Sequence, residues 1–250
     1  MKGRVWITGA SSGIGRALAL ALAQGGAQVA ASARRADELE RLAAEPAAAG
    51  RIRAFPVDVA DAGAMVETCA AVEAAFGPLD LVVLNAGTHE PVRVENFSPA
   101  PFRRLMETNF FGAVNGLAAV LPAFLARRAG HIAIVSSVAG WRGLPEAAAY
   151  GPTKAALINL CEALKLDLDR HGIRVSLVMP GFVRTPLTDR NAFPMPFLVS
   201  AEDAARRIIA GLDKGGFEIT FPRRFTWLLK LGRILPYALY FRLVRARTGR

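Results

Sequence analysis

Tyr150 and Lys154 stand four residues apart in a stretch that reads as helix, so both side chains fall on one helix face. A phenol titrates near pH 10, too high for ready proton exchange at neutrality. A neighbouring ammonium favours the phenolate and lowers that value, as an oxidised nicotinamide ring would. A tyrosine tuned in this way can give a proton to a carbonyl oxygen or take one from an alcohol. The pair alone says little, because many helices contain it by chance.

A second constellation lies at the start of the chain. Arg4 to Thr8 reads as a strand, followed by the turn Thr8-Gly9-Ala10-Ser11-Ser12-Gly13-Ile14-Gly15. Ile14, Ala17, Leu18, Ala21 and Leu22 then share one helix face. Glycines in such a turn let the backbone approach a pyrophosphate, and the helix N-terminus offers N–H groups and a positive dipole end. The candidate contacts are Gly9, Ser11, Ser12, Gly13, Ile14 and Gly15. Tight strand–helix turns favour glycine in any case, so it is the position after a first strand that gives the motif weight.

An NAD site would carry an acid at the end of the second strand, about twenty residues on. Here that end reads Ser32-Ala33-Arg34-Arg35. Arg34 and Arg35 suit a 2′-phosphate, since arginine's planar fork matches it. The alternative is two solvated arginines opening a helix, where the dipole disfavours them. The expected cofactor is NADP(H).

The elements that position these groups alternate along the chain. Strands are predicted at Arg4–Thr8, Gln28–Ala33, Ile52–Val57, Leu81–Leu84, His131–Ser136, Arg174–Met179 and Phe217–Phe221, with helices between. Short apolar strands separated by helices imply a doubly wound parallel α/β sheet of about seven strands. Residues 1–221 read as one catalytic domain, including a substrate loop over about 186–214. Residues 222–250 read as a basic, amphipathic C-terminal extension. Arg190–Val199, with Pro194 and Pro196, is an apolar loop, and Ser200 with Asp203 looks like the cap of a helix running to about Lys214.

Taken together, these motifs resemble the short-chain dehydrogenase/reductase family, over nearly everything from Val5 to Thr185. The resemblance rests on the glycine turn Thr8–Gly15, Val57-Asp58-Val59, Asn85-Ala86-Gly87, Asn109, Ser137, Tyr150, Lys154, and Pro180-Gly181 with Val183 and Thr185 beyond. It implies a Rossmann-type fold and the following roles. Asp58, beside Val59, contacts adenine; Asn85, Ala86 and Gly87 line the cofactor site. Asn109 supports the lysine through water, and Ser137 orients the substrate oxygen. Tyr150 is the general acid/base, while Lys154 tunes it and binds the nicotinamide ribose. Pro180, Gly181, Val183 and Thr185 close on the nicotinamide. Leu84 stands where many members have a further asparagine, and Ser12 where some NADP-preferring members have a basic residue. Phosphate recognition would then rest on Arg34 and Arg35.

Composition bounds the rest. At 250 residues and 52% hydrophobic, the chain has ample material for a core. Cys69 and Cys161 are too few for a disulfide framework, which suggests a reduced, cytoplasmic protein with both thiols packed as small apolar groups. His89, His131 and His171 lack ligand spacing, so no metal is expected. Apolar Trp141, Leu144, Phe182, Phe193, Met195, Phe197 and Leu198 fit either core packing or a small lipophilic carbonyl or alcohol substrate. His89 lines the pocket or faces solvent.

The net charge of +10 sits mostly in the tail: after Phe221 there are eight basic residues and no acidic one. The nearly neutral body excludes a nucleic-acid partner. Two short amphipathic helices broken at Pro236 suit contact with an anionic membrane, or packing as a lid or against another subunit of a homodimer or homotetramer. Functionally, the expectation is a carbonyl reductase or hydroxy-dehydrogenase. The alternatives are a 3-oxoacyl-carrier-protein reductase, which normally ends soon after its last strand, and a non-catalytic NADP(H)-binding scaffold, which would not need Asn109, Ser137, Tyr150 and Lys154.

Overall fold

A computed structural model of the chain describes residues 2–190 and 195–248. Seven strands, β1 (Arg4–Thr8), β2 (Gln28–Ser32), β3 (Ile52–Ala54), β4 (Leu81–Leu84), β5 (Gly130–Val135), β6 (Ile173–Pro180) and β7 (Glu218–Phe221), form one sheet. All pairs are parallel, in the order β3-β2-β1-β4-β5-β6-β7. Order reverses between β1 and β4, which opens a crevice beyond their carboxyl ends.

Strand residues alternate between two apolar layers. Val5, Ile7, Val29, Ala31 and Val83 face α1 (Gly13–Gln24), α2 (Ala36–Ala44) and α7 (Ala201–Asp213). Trp6, Ala30, Val82 and Leu84 face α3 (Ala62–Phe76), α5 (Gly112–Arg127) and α6 (Tyr150–Asp169). Both cysteines are buried and unpaired in this second layer, and burial pushes their thiols up, to about 11 for Cys69 and about 12 for Cys161. β3 stops three residues short of the expected Val57: it is a sheet edge, and Pro56 has no N–H to continue a ladder.

Ser200 caps α7 as expected, its hydroxyl accepting from the Asp203 N–H at 3.1 Å. However, α7 buries Ala204, Ala205, Ile208 and Leu212 in the first layer. The expected substrate loop over 186–214 therefore gives way at Ala201 to a core helix, with one residue in four or so facing inward at 3.6-residue spacing.

α4 (Pro99–Met106) continues through one π-helical turn, Glu107–Phe111, into α5. The resulting run Pro99–Arg127 is long and apolar enough to cross a bilayer, with mean hydropathy 1.5. Its Leu105, Leu117, Val120 and Phe124 are instead buried within the fold. The tail forms α8 (Arg223–Ile234) and α9 (Tyr237–Thr248), separated at Leu235-Pro236 as the proline predicts.

Candidate active site

The turn after β1 is built for close approach. Gly9 and Gly13 adopt φ of 69° and 55°, which residues with a Cβ rarely take. A Cβ at Gly15 would lie 2.3 Å from the Gly9 carbonyl oxygen, so only glycine lets α1 start directly beneath the turn. Ser12 is the N-cap of α1 without using its side chain, and Ser11 and Ile14 flank it. Across the crevice, Asn85 donates its side-chain N–H to the carbonyls of Thr8 (3.0 Å) and Gly9 (3.2 Å). The Thr8 hydroxyl accepts from the N–H groups of Asn85 and Ala86 at 3.0 and 3.1 Å. Those bonds fix Asn85-Ala86-Gly87 against the turn. A dinucleotide fits this cradle: glycines that let backbone approach closely and a helix start with no acidic residue in its first turn.

At the end of β2, Arg35 donates to the Ser11 hydroxyl at 3.0 Å, and the Arg34 guanidinium lies 4.0 Å from the Asp58 carboxylate. Arg35 thus stands beside the glycine turn and Arg34 beside Asp58. Asp58 also accepts from the Ala60 N–H at 3.1 Å, and Val59 beside it is buried against Gly112, where a Cβ would come within 2.6 Å.

Asn109, Ser137, Tyr150 and Lys154 converge on the same side. The π-helical turn carries Asn109 inward, a local widening often used at functional sites. Its Oδ1 accepts from the Thr88 N–H at 2.7 Å, and its Nδ2 donates to the Thr88 carbonyl and the Thr153 hydroxyl at 2.9 and 3.1 Å. The Lys154 ammonium donates to the Val135 carbonyl at 3.0 Å. A Cβ at Gly87 would sit 3.4 Å from both Asn109 Oδ1 and Lys154 Nζ, so these polar ends face one small space. Ser137 accepts from the Ala139 N–H at 3.1 Å, opening the turn Val138–Gly140. That turn presses on α6: a Cβ at Gly140 would lie 2.7 Å from the Lys154 carbonyl carbon. Ser137 thereby comes within hydrogen-bonding reach of the Tyr150 hydroxyl.

Burial sets the protonation of the pair. It pushes Tyr150 up to about 12, against the smaller opposite pull of the Ser137 hydrogen bond. It pulls Lys154 down to about 8. The expected lowering of the phenol by the ammonium is therefore overridden in this geometry, with Lys154 Nζ held by a backbone carbonyl and 5.6 Å from the tyrosine ring centre.

His89 settles on the pocket side. Its ring meets Tyr150 edge-on, centres 4.9 Å apart, and it lines a cavity of about 400 Å³ with Thr88, Glu90, Arg104, Leu105 and Thr108. This lining is more polar than the sequence suggested. On the other flank, the Gly181 N–H donates to the Phe221 carbonyl at 2.7 Å, which fastens Pro180-Gly181 to β7. Val183 is buried and bridges Val199, while the Thr185 methyl would touch a Cβ at Gly13 at 3.0 Å. The segment from Pro180 to Thr185 thus reaches back to the glycine turn. Phe182 and Phe197 pack with Phe225 of α8, ring centres 5.5 and 5.9 Å apart. Phe193 lies outside the described residues. Trp141 is buried beside Lys230 and Arg233 of α8, and so serves packing rather than an open pocket.

The short chain dehydrogenase family pattern matches residues 4–193. The chain belongs to this family. It is 41% identical over 235 residues to an uncharacterized oxidoreductase of Myxococcus xanthus, covering 94% of this chain and 93% of that protein. Its fold matches a short-chain dehydrogenase/reductase of Burkholderia phymatum in complex with NAD, with TM-score 0.84 and 25% identity over 92% of each chain. ElxO with NADP bound matches with TM-score 0.79 and 25% identity, over 88% of this chain and 98% of that one. This short-chain dehydrogenase is an oxidoreductase, and its solved neighbours hold NAD in one case and NADP in another.

Two groups at the site carry no signal in the sequence. Thr153 is buried and joins Asn109 to α6, but a lone threonine beside Lys154 has no spacing to mark it. Arg142 donates to the carbonyls of Gly232, Arg233 and Leu235 at 3.2, 2.9 and 3.2 Å, ninety residues away.

Proposed function

We propose that this short-chain dehydrogenase interconverts a carbonyl and an alcohol on a lipophilic substrate with NADP(H). The carrying observation is the convergence of the half-buried Tyr150, within hydrogen-bonding reach of Ser137, with the buried Lys154 one helical turn on. NADPH, when bound, supplies the hydride. Tyr150, held in its protonated form by burial, gives its proton to the substrate oxygen as negative charge develops there. The Ser137 hydroxyl donates a hydrogen bond to the same oxygen. Lys154 would hold the nicotinamide ribose and stabilise the phenolate left behind, and Asn109 orders the polar space that Lys154 shares. In oxidation the proton moves the other way.

The NADP preference is supported by Arg35 beside Ser11 and Arg34 next to it at the end of β2, with Ala33 in place of an acid. The lipophilic substrate is supported by the Phe182, Phe197 and Phe225 stack on the flank of the site. Gly9, Ser11, Ser12, Gly13, Ile14, Gly15, Asp58, Val59, Asn85, Ala86, Gly87, Pro180, Gly181, Val183 and Thr185 complete the proposed cofactor contacts. Tyr150→Phe keeps the ring and removes the proton. Turnover should fall by a factor on the order of 10²–10⁴ while NADPH binding, followed by fluorescence, persists. Near-normal turnover in that variant would refute the mechanism.

A further inference from the structure

The tail presents two different surfaces. On α8, Phe225 and Leu229 pack inward against the body, and the Thr226 hydroxyl bonds to the Thr220 hydroxyl at 3.4 Å. Trp227, Leu228, Leu231 and Ile234 recur on the opposite helix face and are 65%, 60%, 56% and 80% exposed. Arg223 and Arg224 extend that same face by helical spacing, and both are exposed. On α9, Phe241 and Leu243 are exposed, as are Arg242 and Arg245 between and beyond them. Eight of the sixteen large apolar side chains exposed among the described residues lie in Trp227–Leu243. A concentration of that kind marks a docking surface rather than ordinary surface scatter.

We propose that the outer face of α8, with the exposed apolar and basic side chains of α9 following it, docks on an anionic lipid bilayer. The charge argues for lipid: residues 222–250 hold eight basic groups and no acidic one. Lys230 is drawn off into an ion pair with Glu218 of the body, whereas Arg223, Arg224, Arg242 and Arg245 stay exposed beside the apolar stripe. Aromatic and leucine side chains flanked by arginine alone are suited to the boundary between acyl chains and phosphate headgroups. A second copy of this face would bring like charges together and match none of them. The docked helix is also a wall of the site. Phe225 packs against Phe182 with rings tilted, and Cβ-free Gly181 lies against the Phe225 ring, so docking would turn the substrate flank toward the bilayer.

The test uses the full chain without cofactor or substrate, so it stands apart from the carbonyl chemistry. Flotation with vesicles of phosphatidylcholine alone, and of phosphatidylcholine with one-third phosphatidylglycerol, should show at least tenfold stronger binding to the anionic vesicles. That binding should weaken between 0.05 and 0.5 M salt. Trp6 and Trp141 are buried, so a blue shift of tryptophan emission on binding reports Trp227. Leu231→Ser combined with Ile234→Ser should weaken binding at least tenfold without lowering the melting temperature, because both side chains are exposed. Arg242→Gln with Arg245→Gln should reduce the preference for anionic vesicles. Absence of binding to anionic vesicles at low salt overturns the proposal, as does equal binding to neutral ones. A dimer in solution that the Leu231→Ser, Ile234→Ser variant converts to monomer also overturns it, and assigns the face to a second copy.

Discussion

Lys154 is buried and Tyr150 half-buried, and desolvation drives their protonation in opposite directions, to about 8 and about 12. The phenol therefore keeps its proton across the neutral range, which suits a proton donor to a carbonyl. The ammonium is the group that titrates within reach. Its pKa is lowered, so the charge is present below pH 8 and is lost as pH rises through that value. kcat/KM for reduction, which reports the free enzyme, should accordingly fall above about pH 8. Lys154→Arg keeps a charge at every working pH and should remove that limb, whatever it does to the absolute rate. An unchanged alkaline limb in Lys154→Arg would assign the titration elsewhere. The cofactor phosphate makes a second prediction at this scale. NADPH should bind at least tenfold tighter than NADH, about 1.4 kcal/mol, and the double substitution of Arg34→Ala with Arg35→Ala should bring the two affinities together. Titration of intrinsic fluorescence with each nucleotide measures both; equal affinities in the unsubstituted protein would contradict an arginine phosphate site.

At the scale of elements, close backbone contacts as well as side-chain bonds place the proposed catalytic groups. Gly140 is such a point, because a Cβ there would run into the α6 backbone at Lys154. Gly140→Ala should lower stability by about 1–3 kcal/mol in urea unfolding and lower turnover with it, since Ser137 and α6 are forced apart. Gly143 lies three residues on with nothing within 4 Å of its would-be Cβ. Gly143→Ala should change neither, and equal damage at both positions would mean that general loop disruption is responsible. This contrast also shows what a sequence discloses. Strand periodicity, the Ser200 cap and the proline break at Pro236 are local, and each element they announce is present. Tyr150, Lys154 and the glycine turn are legible because their spacing is itself the chemistry. The burial of α7 in the sheet's first layer, the inward rotation of Asn109 by a π-helical turn, and the Trp141 packing depend on partners far away in the chain, which no window of neighbouring residues contains.

Across the whole molecule, one buried histidine links the fold to pH. His131 is 2% exposed on β5, its Nε2 lies 2.9 Å from the Ser176 hydroxyl, and burial lowers it to about 4. Unfolded, it would titrate near 6.5. Between those values the unfolded chain binds a proton that the folded chain refuses, so stability falls as pH drops through 6.5 toward 4. The loss from this group between pH 7 and pH 5 is about 2 kcal/mol. Unfolding free energies from urea titration at the two values should differ by that margin more than in His131→Asn; the same difference in both proteins would discount it.

Arg142 has a consequence that reaches from one end of the chain to the other. It leaves the loop just after Ser137, lies over the rings of Tyr237 and Tyr240 at 4.9 and 4.0 Å, and gathers three carbonyls where α8 ends. Tyr240 returns the connection by donating to the Gly143 carbonyl at 2.6 Å. One side chain thus makes the α8–α9 break and the Ser137 loop neighbours in energy as well as in space. Linkage then works both ways. Whatever factor the seating of α8 and α9 contributes to substrate affinity, substrate returns as the same factor in how firmly the two helices are seated. Arg142→Ala is the substitution that would loosen the C-terminal helices from the Ser137 loop.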